Sequence, residues 1–359
     1  MVRRAVHTRP ICAAVQSLVE RLEDRQLLSS GQLLPSYGHA GTLVLADNLV
    51  DRGATVCTTL GDSVFVAMDN EVTKLTPTGQ PDNTFGIGGV FTLPVGTVGF
   101  ISAVAAQPDG KLLLTLRNDP STDAEIMRLM PNGQPDSTWG NHGIIIFDFT
   151  LLLGQAQNTV TSVASSVLVQ PDGKVLVGGM EFAQGDAASS MALARFNSDG
   201  TLDAGFGDNG TALLLPANYT QNIVNTMRLQ SDGEIAVLSA AAIADGNGGQ
   251  LVNFVLSRFS TDGIVDDTFG GGNGLVEGPS DTIHNLLPVG LEIDSLGRFI
   301  VAANQYADPA PAPTPVGGFL LRYATDGTQD TLFGVFGNNG IVTLPAGLST
   351  AGISALAVA

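Results

Sequence analysis

One phrase occurs five times in this chain at nearly constant spacing. It reads cation, aromatic or aliphatic residue, turn, Gly, two variable residues, Asp, two variable residues, aromatic. The copies are KLTPTGQPDNTF (74–85), RLMPNGQPDSTW (128–139), RFNSDGTLDAGF (195–206), RFSTDGIVDDTF (258–269) and RYATDGTQDTLF (322–333). Their closing aromatics, Phe85, Trp139, Phe206, Phe269 and Phe333, lie 54, 67, 63 and 64 residues apart. A period near 60 marks an array in which each copy is one supersecondary unit that cannot bury its own apolar face alone.

Each unit reads as four strands. In the second, ISAVAAQ (101–107) precedes the turn PDG (108–110), then come KLLLTL (111–116), AEIMRLM (124–130), the repeated turn, and GIIIFDF (143–149). Asp-Gly or Asn-Gly between apolar runs signals a hairpin, because Gly accepts the positive φ of a tight turn. The PDG turn returns at 171–173 and degrades to SDG (231–233) and SLG (295–297). VLV (175–177), IAV (235–237) and FIVAA (299–303) are apolar on both faces, as in strands covered on both sides. Meander sheets that bury both faces against copies of themselves predict an all-β fold, a β-propeller of four-stranded blades.

The cation and the Asp of the phrase are eight residues apart in every copy: Lys74 and Asp82, Arg128 and Asp136, Arg195 and Asp203, Arg258 and Asp266, Arg322 and Asp330. A cation ending the third strand is placed to clamp the turn and to offset the cost of a partly buried carboxylate. A ring of acidic ligands is the functional alternative. The aromatics open FG-type turns and are expected between neighbouring blades, where a large ring offers the most burial per residue. A ligand-stacking platform is the alternative there.

The net charge of −18 is uneven. The first 31 residues carry five Arg against three acids, so the rest holds 11 cations against 31 acids. A surface that acidic disfavours nucleic acid and anionic membranes as partners. Forty-four Gly and three Lys fit a turn-rich β protein. Cys12 and Cys57 make neither a disulfide framework nor a metal site. In residues 11–28, Ile11, Val15, Leu18 and Leu22 share one helical face, predicting a short N-terminal amphipathic helix too short to span a bilayer.

The repeats, with their DGK-type hairpins and the stretch RFNSDGTLDAGFGDNG (195–210), resemble the delta-60 repeat family. That resemblance covers roughly residues 37–359 and implies β-propellers of bacterial secreted and surface proteins. The first copy departs from it, with LGDS (60–63) where PDGK would stand. LEDRQLLSS (22–30) resembles the LEPR-XLL motif of exported planctomycete proteins, with Asp24 in place of its Pro. It implies export or cell-surface display. Neither resemblance brings a catalytic residue set.

The expected organisation is a targeting segment over 1–31 and a propeller over 32–359. Its repeats lie near 54–99, 100–157, 158–220, 221–283 and 284–350. Parts of a sixth unit stand at both ends. Tyr37-Gly38-His39-Ala40-Gly41 with TLVLA (42–46) resembles an FG turn and last strand, and ISALAVA (353–359) aligns with the first strand ISAVAAQ. The split predicts a parent of at least six blades in which this chain is truncated. A five-bladed ring with spare strands is the rival.

No GxSxG elbow, HExxH, CxxC or P-loop occurs, and His7, His39, His142 and His284 lack ligand spacing. Asp-rich turns such as NSDGTLD (197–203) place Gly fourth rather than sixth, which fits Asx turns better than a calcium loop. The loops between second and third strands vary most: 117–123, 178–190, 244–249 and 304–318. They share one face with inter-blade links such as PANYTQN (216–222), where a binding function on a rigid scaffold would sit. The expectation is a monomeric, non-enzymatic exported scaffold needing no cofactor and no metal. Its partner is an unidentified protein or glycan, met on that face. An enzyme or a glycan-binding module using the same face or the central channel is the alternative; Phe182, Tyr219 and Tyr306 are the loop aromatics available to it.

Overall fold

The computed structural model describes residues 55–356 apart from 59–62, 95–98, 119–122, 150–159, 184–187, 217–218, 245–249, 280–283, 308–314, 335–339, 344–352 and 354–355. The expected N-terminal helix, the export-like motif, Tyr37 to Ala46 and most of 353–359 lie outside the described residues.

Five antiparallel four-stranded sheets follow one another, each in sequential strand order. Sheet 1 holds β1 (Thr55–Thr58), β2 (Val64–Met68), β3 (Glu71–Leu75) and β4 (Val90–Thr92). Sheet 2 holds β5 (Gly99–Ala106), β6 (Leu112–Asn118), β7 (Ala124–Leu129) and β8 (Ile144–Phe147). Sheet 3 holds β9 (Val160–Val169), β10 (Val175–Ala183), β11 (Ser190–Phe196) and β12 (Thr211–Leu214). Sheet 4 holds β13 (Tyr219–Leu229), β14 (Ile235–Ala244), β15 (Gln250–Phe259) and β16 (Leu275–Glu277). Sheet 5 holds β17 (His284–Ile293), β18 (Phe299–Ala307), β19 (Pro315–Tyr323) and β20 (Ile341–Thr343). One helical turn, Phe269–Gly271, is the only helix among the described residues.

The hairpins form for the reason their sequences suggest. In the first-to-second-strand turns, Asp109, Asp172 and Asp232 accept the backbone N–H two residues on, at 3.1–3.2 Å. Gly110, Gly173 and Gly233 sit at φ 84, 85 and 91°, a region closed to most side chains. Strand lengths depart from a uniform six: the last strands have only three or four residues, the first strands of sheets 2 to 5 eight to eleven.

The apolar core is divided. One cluster joins sheets 1 and 2 through Phe65, Phe85, Leu114 and Met127. Another joins sheets 2 and 3 through Trp139, Phe149, Val177 and Ala194. A third joins sheets 3 and 4 through Leu193, Phe206, Met227 and Val237, and a fourth joins sheets 4 and 5 through Leu256, Phe269, Leu291 and Val301. Leu112, Leu113 and Leu114 are all fully buried, so this second strand is covered on both faces. First strands β5, β9, β13 and β17 pack each against its neighbour, whereas the short last strands make no comparable contact with one another. Sheets that converge at one edge and splay at the other fan around an axis, the arrangement of propeller blades.

Each of these four first strands carries a β-bulge at the same place, with Ser102, Ser165, Asn225 and Val289 as the extra residues. A bulge re-aims its side chain and breaks the ladder locally. Here Ser102 Oγ donates to Ala164 O at 2.9 Å, Ser165 Oγ to Val224 O at 2.6 Å, and Asn225 Nδ2 to Pro288 O at 3.3 Å. Each acceptor directly precedes the bulge of the next sheet, which makes a rail of hydrogen bonds along the inner edge. Val289 has no donor to offer. Beside it, Gly290 faces Leu356, and the Asn304 amide brackets Ile353, accepting its N–H at 2.6 Å and donating to its carbonyl at 2.8 Å. Ile353 and Leu356 therefore lie against sheet 5.

Candidate functional site

The five cation–Asp pairs are ion pairs. Lys74 Nζ lies 2.8 Å from Asp82. Arg128 Nε donates to Asp136 at 3.0 Å, Arg195 Nε to Asp203 at 2.7 Å, Arg258 Nε to Asp266 at 2.7 Å and Arg322 Nε to Asp330 at 2.9 Å. The second carboxylate oxygen closes an Asx turn. Asp82, Asp136 and Asp266 accept both the backbone N–H and the hydroxyl of Thr84, Thr138 and Thr268. Asp203 and Asp330 accept only the N–H of Gly205 and Leu332.

These bonds hold the carboxylates ionised. The Lys74 ammonium and then the Thr84 donors bring Asp82 down to about 2. Burial alone would raise Asp136, but the Thr138 donors and the charges of Arg128 and Lys111 outweigh it and bring it to about 2. Asp203 is lowered too: burial opposes the shift, and the Lys174 and Arg195 bonds overcome it. Asp266 is lowered chiefly by Thr268, and Asp330 chiefly by Arg322.

Each guanidinium also covers the aromatic of its own copy. Arg128 lies 4.9 Å from the Trp139 ring centroid, Arg195 4.6 Å from Phe206, Arg258 4.9 Å from Phe269 and Arg322 4.5 Å from Phe333. That distance suits a cation–π contact. Lys74 differs: its ammonium lies 5.9 Å from Phe65, a ring that packs edge-on against Phe85.

The third contact crosses between sheets, and sequence reading missed it. Arg128 Nη1 donates to Ser198 O at 2.8 Å, Arg258 Nη1 to Thr325 O at 2.6 Å, and Arg195 Nη1 to Thr261 O. Each acceptor lies two residues before the turn Gly of the following copy. That Gly rests on the preceding aromatic. A Cβ on Gly200 would stand 2.8 Å from Trp139 Nε1, and one on Gly263 2.7 Å from the Phe206 ring, at φ +90 and +79°. The backbone adds a further bond, from Gly207 N to Asp262 O at 2.6 Å and from Gly270 N to Asp326 O at 2.9 Å. The invariant Gly of the phrase thus serves both its own turn and the neighbouring sheet.

Phe85, Trp139, Phe206 and Phe269 are fully buried between sheets, as an inter-blade role requires. Phe333 departs from that expectation and is only half-buried. Among the described residues no turn of a following copy lies over it. Pairs nevertheless recur within sheets. Lys111 and Lys174 of the DGK hairpins reach Asp136 at 3.5 Å and Asp203 at 2.8 Å, and Glu234 in the same position meets Arg258 at 3.1 Å.

The variable loops stand at the opposite ends of the strands from these locks. Beneath them, buried polar atoms lack hydrogen-bond partners: Glu181 Oε2, Ser189 Oγ and both amide atoms of Asn222. No cluster of three His, Cys, Asp or Glu side chains exists among the described residues. His142 is an exposed turn residue at φ 54°. No described helix is long and apolar enough to cross a membrane.

Residues 107–138 and 170–206 match a family described as a beta-propeller domain of unknown function (DUF5122). The matched stretches run from a first-to-second-strand hairpin into the lock residues of sheets 2 and 3. The fold is of the β-propeller type. Solved structures are similar at low identity. An endo-arabinanase of Bacillus licheniformis is 11% identical over 77% of this chain and 95% of its own, with a TM-score of 0.43. A pyrroloquinoline-quinone-bound aldose sugar dehydrogenase of Streptomyces coelicolor is 13% identical over 81% and 92%, with a TM-score of 0.41. Hydrazine synthase of Kuenenia stuttgartiensis is 12% identical over 87% and 84%, at 0.43. No curated protein matches the chain.

Proposed function

We propose that this protein is a non-enzymatic β-propeller scaffold, exported and displayed at the cell surface, that binds a protein or glycan through the variable loops of one face. The observation that carries this reading is the direction of the repeated polar groups. Arg128, Arg195 and Arg258 each hold an Asp of their own copy, a ring of their own copy and a carbonyl of the next. Groups engaged in that way are not available to a ligand, so the repeat constructs a frame. Residues that differ from copy to copy are then left to carry recognition. The resemblance to delta-60 repeats and to the LEPR-XLL motif supports export. Ile353 and Leu356 against sheet 5 support a ring of at least six units.

The test joins binding and turnover. The full chain is passed over immobilised cell-wall polysaccharides and incubated with a panel of chromogenic glycosides. A scaffold releases no product, and replacing residues 184–188, which join β10 to β11, with a short Gly-Ser turn weakens retention without lowering the melting temperature. Steady product release would sink the scaffold reading. A second reading, an enzyme on the same face, is favoured by one observation, the buried carboxylates Asp148 and Glu181. If it holds, Glu181→Gln abolishes that release.

A further inference from the structure

Three polar side chains meet where sheets 2 and 3 face each other beneath the variable loops. Ser162 Oγ on β9 donates to Asp148 Oδ1 at 3.1 Å and accepts the Phe149 N–H at 3.1 Å. Glu181 on β10 stands directly across from Ser162. Opposed residues of an antiparallel pair project from the same face. That face, which also carries Ala164, Val177 and Ala192, packs against Phe147 and Phe149 of sheet 2. Glu181 and Ser162 therefore both project toward the segment that carries Asp148.

The pocket is deeply set: Glu181 is 9% exposed, Asp148 4% and Ser162 2%. Glu181 Oε2 has no hydrogen-bond partner, and no ion pair among the described residues reaches Glu181. Burial, then the nearby Asp148, push its carboxyl up to about 7. Two carboxylates in one enclosed space are costly unless a proton or a cation compensates them.

The fold does not require this arrangement. Counting back from the bulge, the counterparts of Ser162 are Gly99, Asn222 and Leu286. The counterparts of Glu181, across from Asn222 and Leu286, are Ala241 and Gln305. The three related interfaces, with Asn118, Ala241 and Gln305 in its place, do without the acid, so its presence in this one marks a local function rather than a structural need.

We propose that Asp148, Ser162 and Glu181 form a binding site for a hard divalent cation, Ca²⁺ being the ion best suited to it. Carboxylate and hydroxyl oxygens with no nitrogen or sulfur donor select such ions. Ca²⁺ tolerates an irregular oxygen set completed by backbone carbonyls and water, whereas Mg²⁺ demands near-octahedral geometry. A doubly charged ion neutralises both carboxylates. The site ties the segment just past the last strand of sheet 2 to the first two strands of sheet 3 at the rim of the variable face.

The experiment uses the full chain, stripped with EDTA and dialysed, with thermal melting and calorimetry during titration of CaCl₂ and, separately, MgCl₂. The expected result is a saturable rise in melting temperature of several degrees, with one-site heats. It is lost in both Glu181→Gln and Asp148→Asn, whose amides keep the volume of the acids. Glu292→Gln, which touches only the ion pair with Arg228 on sheets 4 and 5, keeps it. No saturable rise with either ion up to about 10 mM, well above the dissociation constants of weak extracellular calcium modules, overturns the proposal. So does a rise that either pocket variant retains.

Discussion

Replacing Arg195 with Met isolates the contact that joins two sheets. Arg195 is 6% exposed, and its replacement leaves Asp203 with Lys174 at 2.8 Å and the Gly205 N–H at 3.2 Å. Removing one partner of a buried ion pair costs about 3–5 kcal/mol, and the retained Lys174 takes about half of that away. Lost with it are the cation–π contact on Phe206, about 0.5–2 kcal/mol, and the charged hydrogen bond to Thr261 O, about 1.5–3 kcal/mol. The Met stem keeps much of the packing, and such terms overlap, so a net loss of about 3 kcal/mol is expected. For a chain of this size that corresponds to about 4 °C in melting temperature. The comparison is Arg322→Met. Arg322 makes the same ion pair and lies 4.5 Å from Phe333, but among the described residues it reaches no following copy. Its replacement should lower the melting temperature by less than half as much. Arg195→Lys should fall between the two, since Lys74 shows what a lysine reaches from this position: the carboxylate at 2.8 Å and, among the described residues, no carbonyl of the next sheet. Urea and thermal unfolding of the three variants check this. Equal losses for Arg195→Met and Arg322→Met would refute the idea that the guanidinium works as an inter-sheet tie.

The turn Gly can be tested against a matched control. Gly263→Ala forces a Cβ to within 2.7 Å of the Phe206 ring at φ +79°, whereas Gly271→Ala meets nothing within 4 Å at φ +87°. Both bear the left-handed penalty of about 1–2 kcal/mol, so the excess loss of Gly263→Ala, read by urea unfolding, measures the inter-sheet contact. Phe206→Ala empties a fully buried site and should cost about 3–5 kcal/mol; Phe333→Ala, at a half-buried ring, should cost clearly less in the same assay. A third expectation concerns pH in the presence of EDTA. Glu181 has its folded pKa raised from 4.5 to about 7, so its contribution is complete below pH 4.5 and disappears as pH rises through 7. The fall is about 3 kcal/mol at most, and Glu181→Gln should flatten the stability profile between pH 5 and 8. Asp82 and Asp136, lowered to about 2, act in the opposite direction. Their stabilisation is present above pH 4 and is lost as pH falls toward 2.

Much of the repeat unit was legible because its determinants are local. Asp172 and Gly173 make their hairpin with neighbours two residues away, and Asp203 meets Arg195 eight residues back. The rail along the inner edge was not legible, because Ser102, Ser165, Asn225 and Val289 are not of one residue type. Only their constant distance of seven residues before the second turn residue (Asp109, Asp172, Asp232, Leu296) relates them. Nor does anything local to Glu181 name Ser162 or Asp148. Their meeting depends on strand register and on how sheet 3 lies over sheet 2.

From the sequence alone came the unit, its four strands and the clamp within each copy, since strand period, turn chemistry and side-chain reach all act over a dozen residues or fewer. The tertiary structure decided which copy each clamp also grips. Arg195 to Thr261 and Gly263 to Phe206 join residues roughly one repeat apart. Such pairs are brought together only when one sheet buries its apolar face on the next, and burial of that kind is insensitive to which polar atoms it carries into contact.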